Sequence, residues 1–209
     1  NASGATIAAN VTYSGATATL TPTALLNGAT TYTATLTTAV RASDGTPLSS
    51  TVSWSFRTAD CPCSLMSTLS PSLTGLAVQD GRSGAGPFTY ELGTKFTVDT
   101  AMNLSSIRYW RDPGETGTHV GRIWNASGTQ VASVTFANET ASGWQTQALA
   151  SPIALTAGAT YTVSVGFNSR FTMTTGGLAA QLNSGPLHSV VGGNGVFAAT
   201  AGTYPTSSY

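Results

Sequence analysis

Between residues 88 and 167 one pattern recurs: a short run that alternates in polarity, then a few turn residues, then another such run. FTYELGTKFTVD, LSSIRYWRD, THVGRIWNA, TQVASVTFA, GWQTQALA and ATYTVSVGF follow one another in this way. Successive side chains of a strand point to opposite faces, so alternation buries one face and wets the other. In the first run Tyr90, Leu92 and Thr94 oppose Glu91, Gly93 and Lys95. In the last, Tyr161, Val163, Val165 and Phe167 make one apolar row. Evenly spaced strands of this kind predict an antiparallel sandwich or jelly roll.

Composition points the same way. Thr, Ala, Ser, Gly and Val dominate and strong helix formers are scarce, which favours strands and turns. Only 8% of the 209 residues are charged, against about 25% in ordinary soluble proteins, and Lys95 is the only lysine. Net charge is zero, so the chain lacks the basic footprint of a nucleic-acid or anionic-membrane partner. No apolar run approaches the roughly 20 residues of a membrane-spanning helix, and no membrane insertion is expected. A neutral surface of Thr, Ser, Asn and Gln suits an extracellular bacterial module. No signal peptide stands at the front, so the chain reads as a mature or excised piece.

Residues 1–59 read as a first domain of short strands. NVTYSG and ATATLTP flank a Ser-Gly turn, and LNGATTYTATLTTAV sets an Asn-Gly turn before a long alternating strand. ASDGTPLSS is a loop with Asp-Gly at its apex. TVSWSFRTA then places Val52, Trp54 and Phe56 on one face, as in a half-buried sandwich strand. The stretch from Thr17 to Ala59 resembles the second half of a bacterial Ig-like domain, a spacer and adhesion module without catalytic residues. That resemblance implies that the family's opening strands are missing before Asn1, which would leave a sheet edge and half a core open.

Residues 60–87 are dense in Pro, Ser and Gly and read as a linker leading into the second domain, 88–209. A short helix or irregular turn is expected around Leu178 to Asn183. In the second domain ELGTKF, IRYWR, TGTHVGRIWNASGTQVASVTFANETASGWQ and TAGATYTVSV resemble a secreted bacterial module, domain-of-unknown-function family 4082. The resemblance implies a β-sandwich from multidomain extracellular proteins and brings no established activity. It also implies a further strand after Tyr209, so both ends look cut. Either the chain is a piece of a longer protein, or neighbouring chains supply strands to its open edges.

The stretch Leu104 to Gln147 concentrates the candidate chemistry, with three of the four Trp. If the 112–118 and 138–143 loops share one end of the sandwich, His119, Trp124, Glu139 and Trp144, with Arg108 and Trp110, form a shallow site suited to sugars. Aromatic faces stack on pyranose rings and planar polar groups bond hydroxyls. The competing reading makes Trp124 and Trp144 core residues and lets His119 bond a loop. Glu115 and Glu139 as a glycosidase pair need a fixed spacing that nothing in the sequence sets. There is no Gly-x-Ser-x-Gly motif, and His188 reads as a strand or turn residue. A structural calcium ion, held by Asp112, Glu115 and backbone carbonyls, is the one metal considered; no other cofactor is expected. Cys61 and Cys63 read as a local disulfide in an oxidising compartment; a redox or metal centre would need a neighbour that lowers a thiol pKa.

The sequence thus predicts an all-β chain: a partial Ig-like β-sandwich, then a jelly-roll-like antiparallel β-sandwich. The leading function is a non-catalytic structural or adhesive module at the cell surface or outside the cell, assembling with like chains through edge strands. The alternative is a carbohydrate-binding module of a secreted polysaccharide-active enzyme, with extracellular polysaccharide as partner. A binding module should expose its aromatics on a platform. A structural one should bury its Trp residues and meet other chains through apolar surface.

Overall fold

The computed structural model describes residues 6–23, 26, 30–58, 63–66, 69–78, 83–84 and 86–208. The chain divides into two compact units, Asn1–Cys63 and Ser64–Tyr209. Among the described residues all extended regular structure is strand, and every ladder is antiparallel.

In the first unit β1 (Ala9–Ser14) and β2 (Thr17–Pro22) form one hairpin, turned at Gly15, whose φ of 57° suits a residue without Cβ. β3 (Thr31–Leu36) and β4 (Val52–Arg57) form a second two-stranded sheet. Register sorts the side chains by face. Val11 lies opposite Leu20 and Tyr13 opposite Ala18; Tyr32 lies opposite Phe56, Ala34 opposite Trp54 and Leu36 opposite Val52. The reverse face of β3–β4 carries hydroxyl pairs, Thr33–Ser55 at 2.9 Å and Thr35–Ser53 at 3.0 Å. Tyr32 is buried and stacks on Phe56 at 5.8 Å.

Most of the other large apolar side chains in these strands are open. Val52, Trp54 and Phe56 are 46%, 51% and 45% exposed, and Tyr13 and Leu20 are 78% and 59% exposed. This corrects the expected half-buried face: the three residues do share a face, but two-stranded layers supply too few neighbours to cover it. The long strand expected before Val40 stops at Leu36, because Val40 N–H turns back to Thr37 C=O at 3.1 Å. The Asn27-Gly28 turn signal lies outside the described residues. The Asp44-Gly45 apex forms as expected, with Thr46 N–H donating to Asp44 Oδ1 at 2.9 Å.

The second unit begins with β5 (Leu73–Ala77), so the segment read as a linker contributes a strand, paired with β12 (Arg170–Met173). Its large sheet is organised on β6 (Tyr90–Val98). One edge of β6 pairs with β11 (Thr160–Phe167), which pairs with β8 (Val120–Asn125) and then β9 (Gln130–Thr135). The other edge is shared by β14 (Leu187–Ser189) and β15 (Gly195–Ala198), flanked by β13 (Asn183–Ser184) and β16 (Ser207–Ser208). The expected helix or turn near 178–183 is irregular, with turn bonds such as Ala179 N–H to Gly176 C=O.

The second layer is the long antiparallel pair of β7 (Met102–Arg111) and β10 (Gly143–Leu155). Its inward residues meet the large sheet. Ile107 packs over Gly121, and Tyr109 makes edge contacts with Phe136 and Phe167 at 4.8 and 5.6 Å. Val98, Ile107, Ile123, Leu155, Phe96 and Val165 form the core, and Tyr161 stacks on Phe96 at 5.8 Å. The predicted face of Tyr161, Val163, Val165 and Phe167 is the one that looks into this core.

Candidate functional site

The loop after β7 is built on Asp112 and Glu115. Asp112 Oδ1 accepts Gly114 N–H at 2.8 Å, an Asx-type closure, and Oδ2 accepts Gly75 N–H of β5 at 2.6 Å. Glu115 lies beneath the β11–β12 turn. Its Oε1 accepts Asn168 N–H at 2.7 Å; its Oε2 accepts Ser169 N–H and Oγ–H at 2.9 and 2.8 Å, and Arg170 N–H as well. The two carboxylates expected to hold calcium therefore aim at N–H and O–H donors of their own chain.

His119, fully buried, ends that loop. Its Nε2–H donates to Glu115 Oε1 at 3.0 Å and its Nδ1–H to Glu139 Oε2 at 2.8 Å. Glu139 comes from the loop after β9, where Asn138 takes a left-handed φ of 55° that Asn tolerates. Tyr109 donates its hydroxyl to Glu139 Oε1, and Arg111 donates to the Thr140 and Glu115 carbonyls at 2.9 and 3.1 Å. A histidine with both ring nitrogens on carboxylates is satisfied only as the imidazolium.

The electrostatics agree with that charge state. Burial alone would lower the pKa of His119, but the hydrogen bonds to Glu115 and Glu139 outweigh it and the net shift is upward. Burial would raise Glu115; its bonds from His119 and from the backbone at 168–170 prevail and hold it down at about 2. Burial, then the bond to Glu139, keeps the Tyr109 phenol far above its ordinary range. This cluster is a tie: one cation, two anions and a phenol join the loop after β7, the loop after β9 and the turn after β11.

The structure distributes the six residues expected in one sugar site over three places. His119 and Glu139 meet in the buried tie, so the two loops do share one end. Trp124 is buried on the far face of the large sheet, where its indole N–H donates to Ser164 Oγ at 2.7 Å and its ring lies 5.6 Å from Tyr204. Arg108, Trp110 and Trp144 lie on the outer face of the β7–β10 pair. Trp110 meets Trp144 edge-on at 5.6 Å and the Arg108 guanidinium sits 4.5 Å from the Trp144 ring. Trp144 Nε1–H donates to Leu69 C=O at 2.9 Å and Arg108 to Ser64 Oγ at 2.9 Å. These half-buried side chains fasten the start of the second unit.

Residue-level reading missed a second buried ion pair on the far face of the large sheet. Arg122 donates to Glu91 Oε2 at 2.8 Å, Ser164 Oγ–H to Glu91 Oε1 at 2.5 Å and Gly202 N–H to Glu91 Oε2 at 2.7 Å. The signal was the alternation itself, which puts Glu91 opposite the Tyr90 row and Arg122 on the face of Trp124. Cys63 is disulfide-bonded; Cys61 lies outside the described residues. His188 falls in β14, bonded to Asn183 Oδ1 and Asp99 Oδ2 at 2.5 and 2.6 Å.

A family model described as Domain of unknown function (DUF4082) matches residues 78–209. The chain belongs to this family. The match takes in the Glu115–His119–Glu139 tie and the Glu91–Arg122 pair, so both buried polar clusters belong to the DUF4082 domain. It starts at residue 78 rather than at the expected 88. The model of a bacterial Ig-like domain matches residues 1–58, in the order expected from sequence. No curated protein and no solved structure matches the chain.

Proposed function

We propose that this chain is a non-catalytic structural module of a bacterial cell-surface or secreted protein, and that further strands cover the apolar faces of its Ig-like unit. One observation carries the reading. The strand faces of the first unit are apolar yet about half exposed, at Trp54, Phe56, Val52 and Leu20 alike. Two-stranded layers are marginal by themselves and become stable when further strands cover their faces and edges. Three further features support a structural role for the DUF4082 domain. Trp124 is buried and Trp144 is fastened to backbone, the carboxylates of Glu91, Asp112, Glu115 and Glu139 are occupied by donors of its own chain, and the loops after β7 and β9 are tied to each other from within. Such a domain suits a rigid spacer.

Limited chymotrypsin digestion of the full chain tests this. The first cuts should fall after Tyr13, Trp54 and Phe56 and leave a resistant fragment that starts near Ser64. First-unit cleavage as slow as cleavage between Tyr90 and Phe167 would show a unit already closed on itself, and the reading would fail.

A further inference from the structure

We infer that residues 64–78 form a clasp that opens first when the chain is pulled, so that the DUF4082 domain lengthens by one short step while its core stays closed. The inference rests on the reading of this domain as a spacer, and it adds which segment yields and by how much. Topology is the first argument. Among the described residues β5 pairs only with β12, and neither strand joins the large sheet or the β7–β10 pair. A two-stranded pair of this kind is marginal by itself. Little apolar burial offsets that. Leu69 and Leu73 are 50% and 42% exposed, and among the described residues of the segment only Val78, at its far end, is buried.

The fastenings are the second argument, because the chain meets them one after another. Arg108 donates to Ser64 Oγ at 2.9 Å, and Trp144 Nε1–H to Leu69 C=O at 2.9 Å. Ser72 N–H then donates to Thr174 Oγ1 at 3.0 Å. Gly75 gives its N–H to Asp112 Oδ2 at 2.6 Å, and its carbonyl accepts from Arg170 at 3.0 Å. Load carried in from the Ig-like unit reaches Ser64 first and acts on these bonds in turn. Each is weak by itself, so the segment gives way at the load of single bonds rather than of their sum. The large sheet resists differently. β11 holds β6 through eight facing pairs and β8 through five more, so these strands part only together and with the core beneath them. At the other end of the domain Pro205 is buried and Tyr204 lies against Trp124, so the tail is packed where the clasp is pinned.

Optical-tweezers stretching of the full chain, held by handles at its two ends, decides it. Release of about 15 residues should appear as an early step of up to ~50 Å, ahead of a main opening of roughly 430 Å for residues 79–209. Trp144→Ala should raise the rate of the early step at fixed load by about tenfold. Arg170→Ala, which removes an exposed guanidinium, should raise it by about threefold. Both should leave the main opening unchanged, and that opening shows in each trace that the domain had folded. A domain that opens in a single step of full length, or an early step that neither substitution moves, overturns the inference and leaves the spacer reading standing. A domain that unravels whole at the lowest load that extends the tether overturns both.

Discussion

His119 holds a carboxylate on each ring nitrogen and is closed to water, so its proton count and the stability of the DUF4082 domain are linked. Glu115, depressed to about 2, contributes stability that is fully present above its ordinary 4.5 and is lost as pH falls from there toward 2. His119, raised above 6.5, contributes stability that is fully present below 6.5 and is lost as pH rises through its folded value. Chemical denaturation across pH should therefore show greatest stability between these two ordinary values, with a loss on the alkaline side that His119→Ala removes. At the optimum His119→Ala should cost about 3–5 kcal/mol, the range for stripping one partner from a buried ion pair. His188→Ala, whose Asp99 partner is exposed, should cost under about 1 kcal/mol. The meeting of His119 with Glu139 was legible because the loops that carry them flank the neighbouring strands β8 and β9. Tyr109 was not, since alternation in IRYWR defines two faces without saying which looks inward. Arg108 and Trp110 were chosen from it, and the inward pair is Ile107 and Tyr109. The packing of β7 on the large sheet makes that choice.

At the scale of elements, β6 decides how closely the large sheet assembles. Gly93 lies opposite Ser164 of β11 and Val196 of β15, and a Cβ there would stand 2.7 Å from the Val163 carbonyl oxygen and 3.0 Å from Ser164 Cβ. Backbone cannot yield as a flexible side chain would, so Gly93→Ala should cost about 1–3 kcal/mol through spreading of the β6–β11 pair. A denaturant midpoint unchanged from the parent chain would show that the sheet adjusts freely. The strands β6 to β11 were legible because each holds its own alternation. β5 was not: Leu73–Ala77 shows little periodicity, and it becomes a strand through partners about 95 residues away, as in the Arg170 guanidinium bond to the Gly75 carbonyl. The covering of Trp124 by Tyr204 was hidden for the same reason, because a loop-like tail declares no partner in sequence.

For the whole molecule the two units differ in how far each encloses its own core. Residues 64–209 carry two layers, a continuous apolar interior and two buried ion-pair clusters. The described part of the Ig-like unit carries two two-stranded sheets and one buried large side chain, Tyr32. The order of the two domains was legible from their motifs. The openness of the first was foreshadowed by its resemblance to half a sandwich, although alternation alone had suggested a covered face at Trp54. Hydrogen exchange of the full chain at low micromolar concentration, read by mass spectrometry, tests this difference most directly, since amide protection follows the free energy of opening each element. The account predicts that β3 and β4 exchange orders of magnitude faster than β6 and β11. Equal protection of both pairs in the dilute chain would contradict it, because the first unit would then be closed without any partner.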